Sequence, residues 1–151
     1  MPASLQLYYR IVKVELVQFA TLVNTYDASA KNTLENEVAV SYDVSSRVLY
    51  CTLTTIMKSE DDAPIMKAVM RCGFEFKQES IDAVTKDGKI TFPASALGHI
   101  ASLTYSSLRG ALSQRTEDTP FAGYVLPLDN IYNRINHPYI VQVVAEKQSI
   151  A

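Results

Sequence analysis

The side chains with the strongest claim on nucleophilic or metal chemistry are two histidines, His99 and His137, and two cysteines, Cys51 and Cys72. A Cys–His pair would supply a thiolate and its base. A tetrahedral metal site would need ligands a few residues apart. Neither histidine stands at such a spacing from the other or from a cysteine. Both cysteines fall in strand-like segments, which suits buried free thiols; a disulfide and a reactive thiol are the alternatives. The acidic run Glu60-Asp61-Asp62 could meet a cation, but it lacks the glycine and later glutamate of a calcium loop and reads as a solvated turn. There is no Gly-rich phosphate loop, and GYVLPLD contains no nucleophile elbow. The expectation is a protein without enzymatic activity, cofactor or metal. Nine tyrosines and five phenylalanines leave binding as the available chemistry, since aromatic rings offer apolar area with little conformational cost.

Composition narrows the partners. Hydrophobic residues make up 48% and charged residues 20%, so the chain can order itself around a core. The net charge of −2 and the absence of a basic block argue against a nucleic-acid partner. Arg10 and Lys13 interrupt the apolar opening MPASLQLYYRIVKVEL, so neither a signal peptide nor a membrane span is expected. A cytoplasmic protein with reduced cysteines follows. The length of 151 residues suits a single domain over 1–151.

The elements that would carry a binding surface divide the chain in two. Residues 5–22 read as a long strand. Leu7, Tyr9 and Ile11 alternate in one phase and Val12, Val14 and Leu16 in the other, which requires a bulge or a change of partner strand. Residues 23–36 are polar and turn-prone, a long connection. In residues 37–44, Val38, Val40, Tyr42 and Val44 face one way and Glu37, Ala39, Ser41 and Asp43 the other. Residues 47–57 and 64–78 continue the pattern, with a charged turn between them. Such strands predict an antiparallel sheet with one wet and one dry face. Residues 79–91 read as a polar connection with an Asp87-Gly88 turn.

The second half is helical. Pro93 suits a first helical residue. From Ala94 to Leu112, Leu97, Ile100, Ala101, Leu108, Ala111 and Leu112 recur on one stripe. The opposite side carries Ser95, His99, Ser102, Ser106 and Gly110. That small-residue side fits either a solvent face or the close approach of another copy. A short helix over Leu128 to Ile135, stopped by His137-Pro138, and a last strand over residues 139–145 complete the expected order. The fold class is therefore α+β: a four-stranded antiparallel sheet packed on one face by a long helix and a short second helix.

The ordered set Phe92-Pro93, Arg109-Gly110, Pro120-Phe121, Leu126-Pro127 and Asn130 resembles the SecB family of export chaperones and their SecB-like relatives. There, a Phe-Pro pair opens a long helix that ends in Arg-Gly, followed by an aromatic and then a Leu-Pro element with Asn behind it. The resemblance spans about residues 5–135 and is specific over 92–130. The interval from Phe-Pro to Arg-Gly is longer here, and so is the polar loop before Pro120. The tail YIVQVVAEKQSIA lacks an acidic, Cys-containing translocase-binding segment. These departures favour the SecB-like chaperones that guard toxin–antitoxin pairs over an export chaperone.

The resemblance implies an ATP-independent chaperone, a homotetramer built as a dimer of dimers, with the small-residue helix side between pairs. Its clients would be unfolded or partly folded polypeptides held in apolar grooves, among them an antitoxin or an export-type client delivered to a translocase. Candidate client contacts are Tyr26, Leu34, Val40, Tyr42 and Val44 in the first half. Phe121, Tyr124, Leu126, Leu128, Ile131 and Tyr132 would supply the second-half wall. Several of these also fit ordinary core positions. The alternative reading is an adaptor or assembly protein that binds one folded partner through the same surface.

Overall fold

The computed structural model describes residues 6–143. Strands β1 (Tyr9–Thr21), β2 (Thr33–Asp43), β3 (Val48–Lys58) and β4 (Pro64–Phe76) form an antiparallel sheet in the order β1-β4-β3-β2. Period-two patterning explains it. Along β3 and β4 buried residues alternate with half-buried ones, so Leu49, Cys51, Leu53, Met57, Met66, Met70, Cys72 and Phe74 all line one face. Each large apolar side chain removed from water there contributes about 1.5–3 kcal/mol.

The phase switch in β1 resolves as bulges. Ile11 pairs with Phe74 but Lys13 with Gly73, leaving Val12 as the extra residue. A second extra residue, Val17, lies between Leu16 and Gln18. Strand β2 starts earlier than its polar sequence suggests. Thr33 to Asn36 pair with Lys58 to Thr55, because Leu34 and Asn36 share the inward phase of Val38, and Glu35 meets Lys58 at 3.2 Å. Cys51 and Cys72 are direct register partners, both buried and both free thiols.

After β4 comes a short helix, α1 (Gln78–Ala83), inside what the sequence presents as a polar connection. Strands β5 (Thr85–Lys86) and β6 (Lys89–Phe92) then form a hairpin. Its Asp87-Gly88 turn has positive φ at both residues, 52° and 75°, the backbone that a two-residue hairpin loop needs. Strand β7 (Tyr139–Gln142) adds to β6, making a second, three-stranded sheet. Val143 lies beyond the strand, and residues 144–145 of the expected last strand lie outside the described residues.

The long helix α2 (Ala94–Arg115) runs over the buried face of the large sheet. Pro93 takes the N-cap, one position earlier than expected, with extended ψ of 151°. Leu97, Ile100, Ala101, Leu108 and Leu112 are buried as their spacing predicts, while Ala111 is only half-buried. Gly98, Thr104 and Tyr105 join them. Thr104 satisfies its hydroxyl on the Ile100 carbonyl at 2.9 Å, and the Tyr105 hydroxyl donates to the Pro127 carbonyl at 2.7 Å. The expected second short helix is a single 3-10 turn, Ile131–Arg134. Its predecessors stay extended because Arg109 Nε and the Tyr105 hydroxyl hold the Leu126 and Pro127 carbonyls.

Candidate functional site

Three groups of candidate contacts emerge. The first joins the connection after β1 to the loop after α2. Tyr26 stacks on Phe121 with ring centroids 4.5 Å apart and meets Tyr124 edge-on at 5.9 Å. Phe121 is buried, whereas Tyr26 and Tyr124 are half-buried, so the buried ring supports two accessible ones. Burial, reinforced by neighbouring Tyr26 and Tyr105, pushes the Tyr124 hydroxyl up to about 12.

The second is a groove beside the free edge of β2. It has a volume of about 250 Å³ and is lined by Val38, Val40, Leu97, Ile135 and Tyr139, with Arg134 and His137 at its rim. Val40 sits in this groove, and Leu34 and Tyr42 are half-buried on the same inward face of β2. Tyr42 also packs 4.9 Å from Phe92. The segment leading into the 3-10 turn is fastened to β2 through Asp129. Its carboxylate accepts from Asn36 Nδ2 at 2.9 Å and pairs with Arg134 at 2.8 Å, while Asn36 in turn accepts from the Thr55 hydroxyl.

The third group is exposed and scattered. Leu128 is 84% and Val125 67% exposed; Val44, at the β2–β3 turn, is 47% exposed. Tyr132 lies apart from the groove, over α2: an added Cβ on Gly98 would stand 2.8 Å from its ring. Leu126 and Ile131 are in the core, beneath the surface that Leu128 and Tyr132 present. Sequence reasoning missed the groove walls Leu97, Ile135 and Tyr139. Only Val38 carried a signal, as the inward-facing neighbour of Val40.

The small-residue stripe of α2 faces away from the core. Ser95, His99, Ser106 and Gly110 are exposed and Ser102 is half-buried, and nothing lies within 4 Å of a Cβ built on Gly110. His99 Nδ1 is hydrogen-bonded to the Tyr9 hydroxyl. Burial, with Tyr132 nearby, raises the Tyr9 hydroxyl above its ordinary pKa. The β1 edge is also apolar and open: Ile11, Val12, Val14, Val17 and Leu22 are 45–56% exposed.

Chemically, these surfaces offer apolar and aromatic contact area. Among the described residues, no three His, Cys, Asp or Glu side chains gather where they could hold a metal ion. Burial holds the Cys51 thiol up at about 11 and raises that of Cys72, which keeps both protonated and unreactive. Among the described residues no helix is long and apolar enough to cross a membrane.

The architecture is that of SecB-like proteins. Among solved structures it is similar to a SecB-like chaperone from Mycobacterium tuberculosis in complex with a ChAD peptide from the HigA1 antitoxin. The two are 14% identical, the match covers 80% of this chain and 89% of that one, and the TM-score is 0.54. A protein of unknown function from Streptococcus agalactiae is 10% identical over 82% of this chain and 99% of its own, with a TM-score of 0.42. No protein-family model and no curated protein matches the chain. The chain thus has the SecB-like α+β fold, a four-stranded antiparallel sheet under a long helix.

Proposed function

We propose that this chain is a single-domain, cytoplasmic, ATP-independent chaperone of the SecB-like kind, holding unfolded or partly folded polypeptide against apolar surface. The observation that carries the reading is the combination, on this fold, of a preformed apolar groove beside the free β2 edge with exposed apolar side chains elsewhere on the surface. A client strand offers branched and aromatic side chains together with unpaired backbone. Val38, Val40, Ile135 and Tyr139 answer the first, and an edge strand answers the second. Holding needs no fuel, because binding the unfolded state alone shifts the client's equilibrium.

An antitoxin is the favoured class of client, because the M. tuberculosis structure with the same fold carries an antitoxin peptide. A dimer-of-dimers homotetramer is the assembly we favour, with Ser95, His99, Ser102, Ser106 and Gly110 between pairs. Its support is the solvent-facing stripe and the apolar β1 edge, which a lone subunit would leave wet. Several subunits would multiply weak contacts along one client.

The test is suppression of aggregation of a chemically denatured client, with solution mass measured alongside. Suppression at one tetramer per client, by a species of four subunits, is the expected result. No suppression at that ratio refutes the chaperone reading. Capture of one dominant folded protein from native lysate would favour the adaptor instead.

A further inference from the structure

A second, larger pocket lies where β1 begins and β4 ends, next to His99, and has a volume of about 600 Å³. Leu7, Tyr9 and Phe76 supply apolar lining, and Arg10, Arg47 and Lys77 bring three cationic groups against the single carboxylate of Glu75. Arg10 already spends its charge on that carboxylate, through Nε at 3.0 Å and Nη2 at 2.9 Å. Arg47 and Lys77 have no carboxylate partner among the described residues.

Arg47 is fixed through its side chain and Lys77 through its backbone. Arg47 has φ of 58°, a left-handed backbone that a long side chain adopts only when its surroundings hold it there. Phe76 holds it twice. Arg47 Nε donates to the Phe76 carbonyl at 3.1 Å, and the Phe76 amide donates to the Arg47 carbonyl at 2.9 Å. The outer guanidinium nitrogens are left without a hydrogen bond among the described residues. Lys77 is tied to the opposite wall: its amide donates to the Tyr8 carbonyl at 3.0 Å, and the Tyr8 amide donates to Ser80 Oγ at 2.8 Å. Its ammonium stands 5.5 Å from the centre of the Tyr8 ring. A guanidinium fork held through Nε, beside an ammonium on a backbone-fixed residue, favours a carboxylate. The apolar lining adds a demand that a bare anion cannot meet.

We infer that this pocket binds a carboxylate carried on an apolar body, with Arg47 and Lys77 taking the carboxylate and Leu7, Tyr9 and Phe76 the body. A free small acid and the C-terminal residue of a polypeptide ending in a large apolar side chain share that chemistry. The pocket shares no residue with the groove beside β2, so it is independent of the client-binding reading, although its lining also includes His99 from the α2 stripe proposed to lie between subunits.

Isothermal titration of the purified full chain, in whatever assembly it forms, tests it. The probes are 4-phenylbutyrate, the corresponding amide, and a short peptide ending in phenylalanine as free acid and as C-terminal amide. At least one acid should bind about tenfold or more tighter than its amide, the scale of a lost charge-assisted pair. Arg47→Gln and Lys77→Gln should each weaken that binding by about fivefold or more. Lys77→Gln leaves every backbone bond intact, so it decides the matter even where Arg47→Gln disturbs the Phe76 clamp. Binding of only the small acid or only the peptide supports the inference and names the source. Equal binding of acid and amide, no binding of any probe, or wild-type affinity in Lys77→Gln overturns it.

Discussion

Gly98→Ala should destabilise this protein, although alanine is the better helix former. A Cβ built at position 98 stands 2.8 Å from Tyr132 Cδ2 and 3.1 Å from both Cγ and Cε2. Three atoms along one side of the ring meet it, Cγ among them, so the ring must leave as a body rather than flex at its tip. The helix would gain about 0.8–1.0 kcal/mol from the exchange. Overpacking costs about 1–3 kcal/mol. Tyr132 is 43% exposed, so part of its ring can yield toward water and the lower half of that range applies. The net expectation is a loss of roughly 0.5–1 kcal/mol. With Tyr132→Ala in place the obstacle is gone, and the same substitution should stabilise by about 1 kcal/mol. Urea denaturation of the four proteins in the cycle measures both differences, and their coupling should come to roughly 1.5–2 kcal/mol. Equal stabilisation by Gly98→Ala in both backgrounds would show that Tyr132 is not seated on α2, and would sink the reasoning.

Asn36→Ala removes the acceptor for the buried Thr55 hydroxyl and the amide that reaches Asp129, so it should cost about 1–3 kcal/mol in a denaturation midpoint. Tyr124 keeps its proton in the folded state up to about 12, while the unfolded chain releases it near 10. That contribution is complete below about pH 10 and is lost as pH rises toward 12, so melting temperature should fall across that window, and less steeply in Tyr124→Phe. Cys51 and Cys72 should react with a disulfide reagent at pH ~8 far more slowly in native protein than in denaturant; equal rates would mean that the sheet opens readily.

Much of the large sheet is legible in the sequence because a half-covered strand must alternate. Val38, Val40 and Tyr42 announce both the strand and its inward face, and the mismatch between Ile11 and Val14 announces a bulge. The Asp87-Gly88 turn follows from turn chemistry alone, while the β5–β6 hairpin around it is hidden in a polar connection. Helix α1 was hidden because it buries only Ser80 and Ile81, too little for a period to show. The start of β2 was hidden because Thr33 to Asn36 are polar, and they are recruited by partners on β3 that lie far along the chain. The 3-10 turn is shorter than its apolar pattern because α2 side chains claim the Leu126 and Pro127 carbonyls. The groove eludes sequence reasoning for the same reason: β2, α2 and residues 134–139 meet only through tertiary contacts such as that of Asp129.

The two kinks in the first strand separate its residue count from its alignment. Excising Val12 would let Ile11 and Lys13 follow one another opposite Phe74 and Gly73, with no other side chain changing sides. Excising Val14 from the stretch between the kinks would instead turn part of the strand inside out or demand a new irregularity. Any neighbour that zips onto this border must mirror both kinks. A flat, repetitive ribbon cannot, so the oily margin admits a matched companion while resisting open-ended stacking.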